Sequence, residues 1–458
     1  MRPLTLIFPA LLAGCAVGPA YQVPTTPQPA AFKEAAGWRP AAPADTLERG
    51  PWWTLFNDPQ LTSLAEQVEV SNQNVAAAVA SYAQARALVQ EQRASLFPSL
   101  GLNLSADRSG GRNTDSATSY RSSIGASWEP DIWGRLRAGV SAAGANAAAS
   151  AADLAAARLS AQGELAINYF SLREADAAIA LLATTIAGYE RVLVITRNRF
   201  DAGIAAKSDV LQAETQLANA RVDLLSQQRQ RAQLEHAIAI LIGKAPAEFT
   251  LAPAPGQAGV PEIPVGVPSL LLERRPDIAS AERRVAAANA QIGIARSAYY
   301  PNIGLSGSVA SGGSKVGDLF NASNLLWSLG TSVAQSLFNA GATRANVQGA
   351  EAQHQAAVAR YRQTVLTAFG AVEDQLTATR VLAEQQVLRQ QASQAADQTE
   401  AQMLNRYKAG QVSYTEVVQA QASALSARRA LVQLQADRQT TAVALIQSLG
   451  GGWQASVK

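Results

Sequence analysis

An internal duplication is the sequence feature that most constrains how this chain can fold. After a shift of 203 positions, the stretch from Leu270 to Ser308 matches an earlier stretch of the chain, and the match has no gap over residues 71–105. Phe97-Pro98 then aligns with Tyr300-Pro301, and in both copies a helix-forming run ends at this aromatic–proline pair. Alternating strand sequence follows each pair. A chain that makes the same helix-to-strand transition twice is predicted to contain two copies of one structural unit.

A second set of matches, at an offset of 207, covers the later part of each copy. Arg406–Gly410 (RYKAG) aligns with Arg199–Gly203 (RFDAG), and Leu449-Gly450 aligns with Ile242-Gly243. In both copies the two glycines are 40 residues apart, which leaves little room for coincidence. The predicted divisions of the chain are a signal peptide (1–14), an extended lipid-anchored arm (15–60), the first repeat (61–244), a proline-rich joint (245–269), the second repeat (270–450) and a C-terminal tail (451–458).

The helical segments of each repeat are very long. Residues 135–199 contain no proline and are rich in alanine, leucine and glutamine, which predicts one helix of about 65 residues, or ~98 Å at about 1.5 Å per residue. Shorter helices are predicted at 61–96 and 207–242, and the second repeat is predicted to follow the same order. Helices of this length imply an elongated bundle or a helical cylinder. A simple coiled-coil rod is disfavoured because no strict heptad persists along them.

Each repeat also contains two alternating runs of about ten residues, the length at which a tilted β-strand crosses a bilayer. One parity is apolar, as at Leu100, Leu102 and Leu104, and the other is rich in glycine, serine and asparagine. This pattern fits a lipid face and a wet lumen, although a soluble hairpin shows the same alternation. Four strands cannot close a barrel, so several chains must share one, and three chains would supply 12 strands. The aromatic residues near the strand ends are Tyr120, Trp128, Trp133, Tyr299, Tyr300, Trp327 and Phe338.

The N-terminus carries the pattern of an export signal. Arg2 precedes an apolar run from Leu4 to Leu12 that is too short to span a membrane, and small residues follow it. Cys15 follows these small residues. The sequence LAGC at 12–15 resembles a bacterial lipobox, in which the cysteine is acylated. The alternative is an ordinary signal peptide with a chance cysteine. Ala16 follows the cysteine in place of aspartate, which by resemblance favours sorting to the outer membrane.

Composition argues against the other common functional classes. With 48% hydrophobic residues, 16% charged residues and a formal charge of +3, the chain has no general signature of a nucleic-acid-binding protein. Cys15 is the only cysteine, and His236 and His354 stand in helical sequence without other metal-ligating residues nearby. No phosphate-binding loop and no GxSxG motif occurs. We therefore predict no enzymatic activity, no cofactor and no metal. No run of 18 apolar residues occurs, so no transmembrane helix is predicted.

The combined pattern resembles the TolC-like outer-membrane factors, and within them the lipoprotein branch typified by OprM and NodT. The most specific matches are LLERRPDI at 271–278, WEPDIWG at 128–134, the two aromatic–proline breaks and the RFDAG/RYKAG pair. The resemblance implies a mainly α fold with transmembrane β-strands, in which each duplicated unit has long α-helices plus a β-hairpin. A homotrimer would form a 12-stranded outer-membrane β-barrel on a long periplasmic α-helical tunnel. The joint and the terminal regions would build an equatorial belt.

The same resemblance implies the function. The chain would be the outer-membrane channel subunit of a tripartite efflux pump, a passive duct that exports drugs or other toxic small molecules. A periplasmic adaptor and a proton-driven inner-membrane transporter would be its partners, and the lipid on Cys15 would help to anchor it in the outer membrane. Two alternatives are a periplasmic coiled-coil adaptor or scaffold lipoprotein and the duct of a type I protein secretion system. The sequence does not identify the exported substrate or the partner pump.

By this resemblance, Gly203 and Gly410 are the periplasmic tips where the tunnel meets its adaptor. Glycine permits the positive φ that a tight reversal requires. Arg199 and Arg406 stand near helix C-termini, where a cation offsets the helix dipole or contacts an adaptor hairpin.

In relatives, acidic residues just past the second tip surround the closed aperture. Glu416 fits one such position, and Asp209 is its counterpart in the first repeat. Gln419 stands where relatives often carry a second aspartate, so the acidic ring predicted here is thinner. We predict that Glu416 constricts the aperture and favours the passage of cations.

Overall fold

The structure is a computed structural model that describes residues 17–27, 29–34, 51–112, 114–254, 259–261, 263 and 275–451. Several predictions made from the sequence lie outside these residues. They concern the signal peptide, the acylation of Cys15, residues 271–274 of the LLERRPDI motif, part of the joint and most of the C-terminal tail.

Within the described residues, long helices alternate with one antiparallel sheet. The elements in chain order are α1 (Pro59–Ser71), α2 (Gln73–Ala94), β1 (Ser99–Gly111), β2 (Thr114–Trp128), α3 (Arg135–Asp201), α4 (Lys207–Leu241), α5 (Pro276–Ser297), β3 (Asn302–Gly313), β4 (Leu325–Ala334), α6 (Ala342–Lys408) and α7 (Tyr414–Ser448). Short 3-10 helices lie at Trp52–Phe56, Pro246–Glu248, Val316–Phe320 and Ala322–Asn324.

The helices reproduce the duplication. The long helices α3 and α6 both have 67 residues, α4 and α7 both have 35, and α2 and α5 both have 22. Glycines with positive φ occupy matching positions in the two copies. They are Gly134 and Gly341, Gly203 and Gly410, and Gly243 and Gly450. The lengths predicted for the helices at 135–199 and 207–242 are therefore confirmed to within a few residues.

The first predicted helix, 61–96, is interrupted at Asn72, where the backbone is extended. The buried Asn72 side chain accepts hydrogen bonds from Asn74 N and Val75 N at 3.0 and 3.1 Å, so it caps α2. Its amide nitrogen donates to Leu241 O at 2.8 Å and satisfies a carbonyl in the last turn of α4. The prediction of one continuous helix was wrong because this asparagine ends one helix and starts another.

The second copy makes the corresponding contact with different chemistry. Arg275, aligned with Asn72, donates from Nη1 to Ser448 O at 2.8 Å, near the end of α7. The same guanidinium donates to both carboxylate oxygens of Asp277, at 3.0 and 2.7 Å. Carbonyl groups at the ends of α4 and α7 are thus each satisfied by a side chain that stands just before a 22-residue helix of the same copy, α2 or α5.

The four strands form one sheet in the order β1-β2-β3-β4, and every neighbouring pair is antiparallel. Leu102, Ile124, Val309 and Trp327 are register partners across all four strands. Their side chains are exposed, by 66, 55, 45 and 77%. The other parity carries mainly small and polar residues, such as Asn103 on β1, with Leu326 on β4 as an apolar exception. The predicted alternation is confirmed, and β1 and β4 are edge strands within the chain.

The chain divides into two compact units, and each draws residues from both repeats. One unit comprises Met1–Thr26, Ala80–Ala152 and Ala279–Thr364 and contains the sheet. The other comprises Pro27–Val79, Asp153–Ile278 and Val365–Lys458, so it contains α1, α4, α7 and most of α3 and α6.

A buried charge cluster in the second unit binds the described part of the joint to α3 and α4. Asp176, whose side chain is 1% exposed, accepts hydrogen bonds from Arg173 Nη1 at 2.8 Å and from Arg231 Nε at 2.7 Å. The two arginines also donate to Ala252 O and Leu251 O, at 3.0 and 2.5 Å. Every charge in this cluster is therefore paired, as a buried ionic group requires.

The N-terminal arm binds the second repeat in a related way. Glu373 on α6 accepts hydrogen bonds from Lys33 N and Glu34 N, at 2.7 and 2.9 Å. Arg380, the repeat counterpart of Arg173, pairs with the Glu34 carboxylate at 3.1 Å. An irregular segment thus lies against each long helix, the joint on α3 and the arm on α6, and each is held by a carboxylate that accepts backbone N–H.

Among the described residues, one helix is long and apolar enough, by length and composition alone, to cross a membrane. It is α3, in which an 18-residue window reaches a mean hydropathy of 1.6. The sequence prediction of no such helix relied on uninterrupted apolar runs, whereas here a high average arises from many alanines. Alanine also permits helices to pack closely.

Candidate functional site

The two turns that join the long helices to the following ones have the same backbone geometry. Gly203, after α3, has φ +70°, and Gly410, after α6, has φ +73°. In each turn the residue after the glycine donates its N–H to the carbonyl of the residue four before the glycine, at 2.8 and 2.9 Å. This bond closes a helix C-terminus through a left-handed glycine. Both glycines therefore have the conformation that the sequence predicted for a tight reversal.

One arginine links the two turns. Arg199 Nη1 donates to Lys408 O at 3.1 Å, and the guanidinium lies 4.8 Å from the centre of the Tyr407 ring. The cation thus offsets the C-terminal dipole of α6 and contacts an aromatic face. Arg406, its repeat counterpart, is exposed and makes no hydrogen bond or ion pair with a described residue. The two arginines were predicted as equivalent, but in the structure they have different contacts.

A buried cluster lies next to the turns and joins α3, α4, α6 and α7. Its members are Ile186, Tyr189, Val192, Leu193, Val210, Ala213, Leu217, Ala220, Tyr407, Tyr414 and Val417. The rings of Tyr407 and Tyr414 are 5.4 Å apart and tilted by 57°. Burial raises the pKa of Tyr414 well above its usual value, and the neighbouring Tyr407 phenol adds to this effect. Both helical turns therefore rest on a neutral, closely packed core.

Sequence reasoning did not identify this tyrosine pair. Tyr407 is 3% exposed, whereas Phe200, its counterpart in the first repeat, is 38% exposed and has Lys207 Nζ 5.4 Å from its ring centre. The Tyr407 hydroxyl has no hydrogen-bond partner among the described residues. The change from phenylalanine to tyrosine between otherwise similar RFDAG and RYKAG motifs was the available signal.

The two acidic residues occupy matching places at the starts of α4 and α7. Glu416 is exposed, and its Oε2 accepts a hydrogen bond from Ser413 N at 2.9 Å, which caps α7. Asp209 is half-buried in the first turn of α4. No hydrogen bond or ion pair joins Asp209 to Glu416 in the part of the chain that the structure describes. Gln419 lies exposed on α7, three residues after Glu416.

A polar groove lies between α4 and α7, beside the tyrosine-lined core. It has a volume of about 310 Å³, and the ion pair between Arg429 and Asp223, at 3.0 Å, lies along it. Tyr189 from α3 also lines it and accepts a hydrogen bond from Gln216 at 3.2 Å. The groove and the turns together present glycine backbone, charged side chains and amide groups.

The sequence matches the profile of the family described as "Outer membrane efflux protein" over residues 64–244 and 267–451. Among curated relatives, the cation efflux system protein CusC of Escherichia coli O6:H1 is 32% identical over 97% of both chains. The outer membrane protein OprJ of Pseudomonas aeruginosa PAO1 is 31% identical over 98% of this chain and 95% of its own.

Solved structures of outer-membrane channels superpose on this chain. The channel OprN matches with a TM-score of 0.87 and 31% identity, over 96% of this chain and 100% of its own. The open state of the Neisseria gonorrhoeae MtrE channel matches with a TM-score of 0.85 and 29% identity, over 96% of this chain and 98% of its own. The predicted fold class and the predicted outer-membrane localisation are confirmed, and the relatives are channels rather than enzymes. This chain belongs to the outer membrane efflux protein family and is an outer-membrane duct of tripartite efflux.

Proposed function

We propose that three copies of this chain form one pore through the outer membrane. The observation that carries the proposal is the four-stranded sheet, which has one apolar face and two edges that no described strand pairs with. Pairing β1 of one copy with β4 of the next satisfies both edges and closes a 12-stranded barrel. The apolar parity would then face lipid, and the parity of Asn103 would face the lumen. The long helices would continue the duct into the periplasm.

The cargo is proposed to be small toxic compounds, drugs among them. Relatives are described as exporting chemically different cargo: CusC serves cation efflux, TtgC of Pseudomonas putida toluene efflux, and OpmQ of P. aeruginosa PAO1 pyoverdine export. Similar chains with such different cargo are expected if the duct does not select. Selection would then lie with an inner-membrane transporter driven by protons, joined to the duct by a periplasmic adaptor.

The adaptor is proposed to dock at the turns around Gly203 and Gly410. Ile204 is 66% exposed beside the first turn, so a photo-crosslinking amino acid placed there should give an adduct with the periplasmic adaptor in intact cells. Phe320 is 86% exposed in the β3–β4 loop and serves as the matched control site, where no adaptor adduct is expected. Mass spectrometry of the adducts identifies the partner. Adaptor adducts from position 320 and none from position 204 would reverse the proposed orientation.

The lipid anchor on Cys15 is the second element of the proposal. Cys15→Ser should leave a mature protein that lacks the mass of its acyl chains, because the thiol is the site of attachment. Intact-mass spectrometry of the purified mature protein measures this directly. Ala20→Ser, five residues further on, should leave the lipid and the processing unchanged. Identical masses for the parent and Cys15→Ser proteins, apart from the substituted atom, would exclude lipidation.

The acidic ring is the third element. Glu416→Gln should lower the cation-to-anion permeability ratio of the trimer at least about twofold, since each of the three charges removed, some 8 Å from a passing ion, contributes roughly 0.5 kcal/mol in water. Glutamine keeps an oxygen that can accept the Ser413 N–H, so stability should not change.

Reversal potentials in planar bilayers under a salt gradient measure this ratio. Gln419→Asp should move the ratio in the opposite direction. Glu416→Ala should also lower the melting temperature slightly, because the cap on α7 is lost. An unchanged reversal potential in Glu416→Gln would remove Glu416 from the gate.

A further inference from the structure

The loop between β3 and β4 exposes apolar side chains although its backbone is well held. Phe320 is 86% exposed and Val316 is 54% exposed, both on the 3-10 helix that follows β3. The carboxylate of Asp318 accepts a hydrogen bond from Lys315 N at 2.9 Å, and Asn324 Nδ2 donates to Asp318 O at 3.1 Å. The exposure of Phe320 is therefore a property of an ordered loop, and it indicates a surface that something apolar covers.

The loop folds onto one face of the sheet, and that face is the apolar one. Ser311 Oγ donates to Asp318 O at 3.3 Å, and a Cβ on Gly313 would lie only 2.3 Å from the Cβ of Asp318. Both residues have the same parity as Val309 on β3, which belongs to the apolar row across the sheet. A Cβ on Gly312, of the other parity, would meet only β2 backbone. The 3-10 helix thus lies on the face that is proposed to meet lipid.

The loop also lies at the correct height for the outer membrane surface. Pro301, just before β3, accepts a hydrogen bond from Trp133 Nε1 at 2.7 Å, and the ring of Trp133 stacks on Tyr300 at 4.9 Å. Such an aromatic pair is typical of a membrane interface. From there to Gly313, β3 rises by about 25–30 Å at ~3.3 Å per residue and a tilt of about 40°. This distance matches the ~25 Å apolar band of outer-membrane barrels.

Two basic side chains lie at the same end of the sheet as this loop. Lys315 is exposed and makes no ion pair with a described residue, and Arg108 on β1 has the parity of Leu102. The Arg108 guanidinium donates to Ser116 Oγ at 3.1 Å and remains exposed. Tyr120, which pairs with Gly313, belongs to the same face. Asp318 carries the opposing charge, but its carboxylate is turned to the loop backbone.

We propose that Phe320, Val316 and Tyr120, with Lys315 and Arg108, form a site for anionic lipid of the outer leaflet. Phe320 and Val316 would insert among the acyl chains, and the two cations would bind phosphate groups at the headgroup level. The inference rests on the proposed placement of the sheet in the membrane. It goes further because it assigns a ligand to a loop that neither the pore nor the periplasmic docking surface uses.

The insertion of the loop is tested with a fluorophore attached to Phe320→Cys in the complete trimer. In vesicles of dibromophosphatidylcholine its fluorescence should be quenched several-fold relative to unbrominated vesicles. Ser119→Cys, at a similar height but on the lumen parity, is the control and should not be quenched. A fluorophore on Leu102→Cys, in the apolar row, should be quenched if the sheet lies in lipid. Quenching at 102 without quenching at 320 would refute the lipid site and leave the pore intact. Absence of quenching at both would refute the membrane placement itself.

The charge requirement is tested with vesicles of phosphatidylcholine containing lipid A, a phosphorylated glycolipid. Lys315→Gln and Arg108→Gln should each weaken the preference of the trimer for lipid A about fivefold, the contribution of one basic residue near an anionic surface. Lipid retained by the trimer, counted by native mass spectrometry, gives the preference. Arg344→Gln, on α6 outside the loop, is the charge-matched control and should have no effect. An unchanged preference in the double variant would show that the patch does not recognise the anionic headgroup.

Discussion

Replacing Leu102 with arginine is expected to prevent the trimer from assembling in the outer membrane. Leu102 stands in the row that runs through Ile124 and Val309 to Trp327, with apolar residues on all four strands. An arginine on the lipid face of a barrel costs about 2–4 kcal/mol near the bilayer centre, and a trimer incurs this cost in each copy. Heat-resistant trimer in outer-membrane fractions, measured by electrophoresis without boiling, should disappear.

The adjacent residue provides the control. Asn103→Arg introduces the same charge on the opposite parity, where water fills the lumen and the expected cost is small. This trimer should assemble, and its single-channel conductance and ion selectivity should change instead. If Leu102→Arg assembled as well as Asn103→Arg, the apolar row would not face lipid. The proposed barrel would then be wrong, whereas the family assignment would stand.

Much of the fold could be predicted because its signals are periodic and occur twice. The alternation of Leu100, Leu102 and Leu104 with small polar residues determines which face of β1 is apolar, since successive side chains point to opposite faces. The absence of proline over 135–199 allowed a helix of about 65 residues, close to the 67 observed. Repetition supported each boundary a second time, because Gly203 and Gly410 follow helices of the same length.

The differences between the two copies could not be predicted, because they depend on partners distant in sequence. Asn72 breaks a helix that local propensity favours, since its side chain caps α2 and also binds Leu241 of α4. Arg199 and Arg406 occupy equivalent positions, yet only Arg199 reaches the opposite turn. Duplicated sequence therefore predicts duplicated backbone, and the side-chain contacts between the copies decide what each residue does.

The hydrogen bonds that hold the joint against α3 and α4 could not be predicted either. Its proline content indicated an irregular segment, but irregular segments have few backbone hydrogen bonds of their own. Ala254 N finds its acceptor in Asp176 Oδ2 at 3.1 Å, and Leu251 N finds its acceptor in Glu235 at 2.6 Å. Carboxylates on α3 and α4 thus supply the hydrogen-bond acceptors that backbone carbonyls supply in a sheet or a helix. No spacing rule in the sequence links Asp176 to a backbone group so far along the chain.

Asp176→Ala is accordingly expected to be among the most destabilising single changes in the second compact unit. The substitution leaves Arg173 and Arg231 without their shared carboxylate in a buried position, and it removes the acceptor of Ala254 N. Breaking a buried ion pair in this way costs about 3–5 kcal/mol. The midpoint of heat denaturation of the purified protein, followed by circular dichroism, should fall by several degrees. The joint should also become sensitive to limited proteolysis.

Two variants separate the loss of charge from the loss of hydrogen bonds. Asp176→Asn keeps one acceptor oxygen and should be less destabilising than alanine, since part of the bonding to the arginines survives. Glu190→Gln breaks an ion pair with Arg221 whose side chains are 50 and 58% exposed, so the midpoint should hardly move. Equal midpoints for Asp176→Ala and Glu190→Gln would mean that water reaches the cluster. The joint would then be held by its apolar contacts, through buried Leu251, rather than by charge.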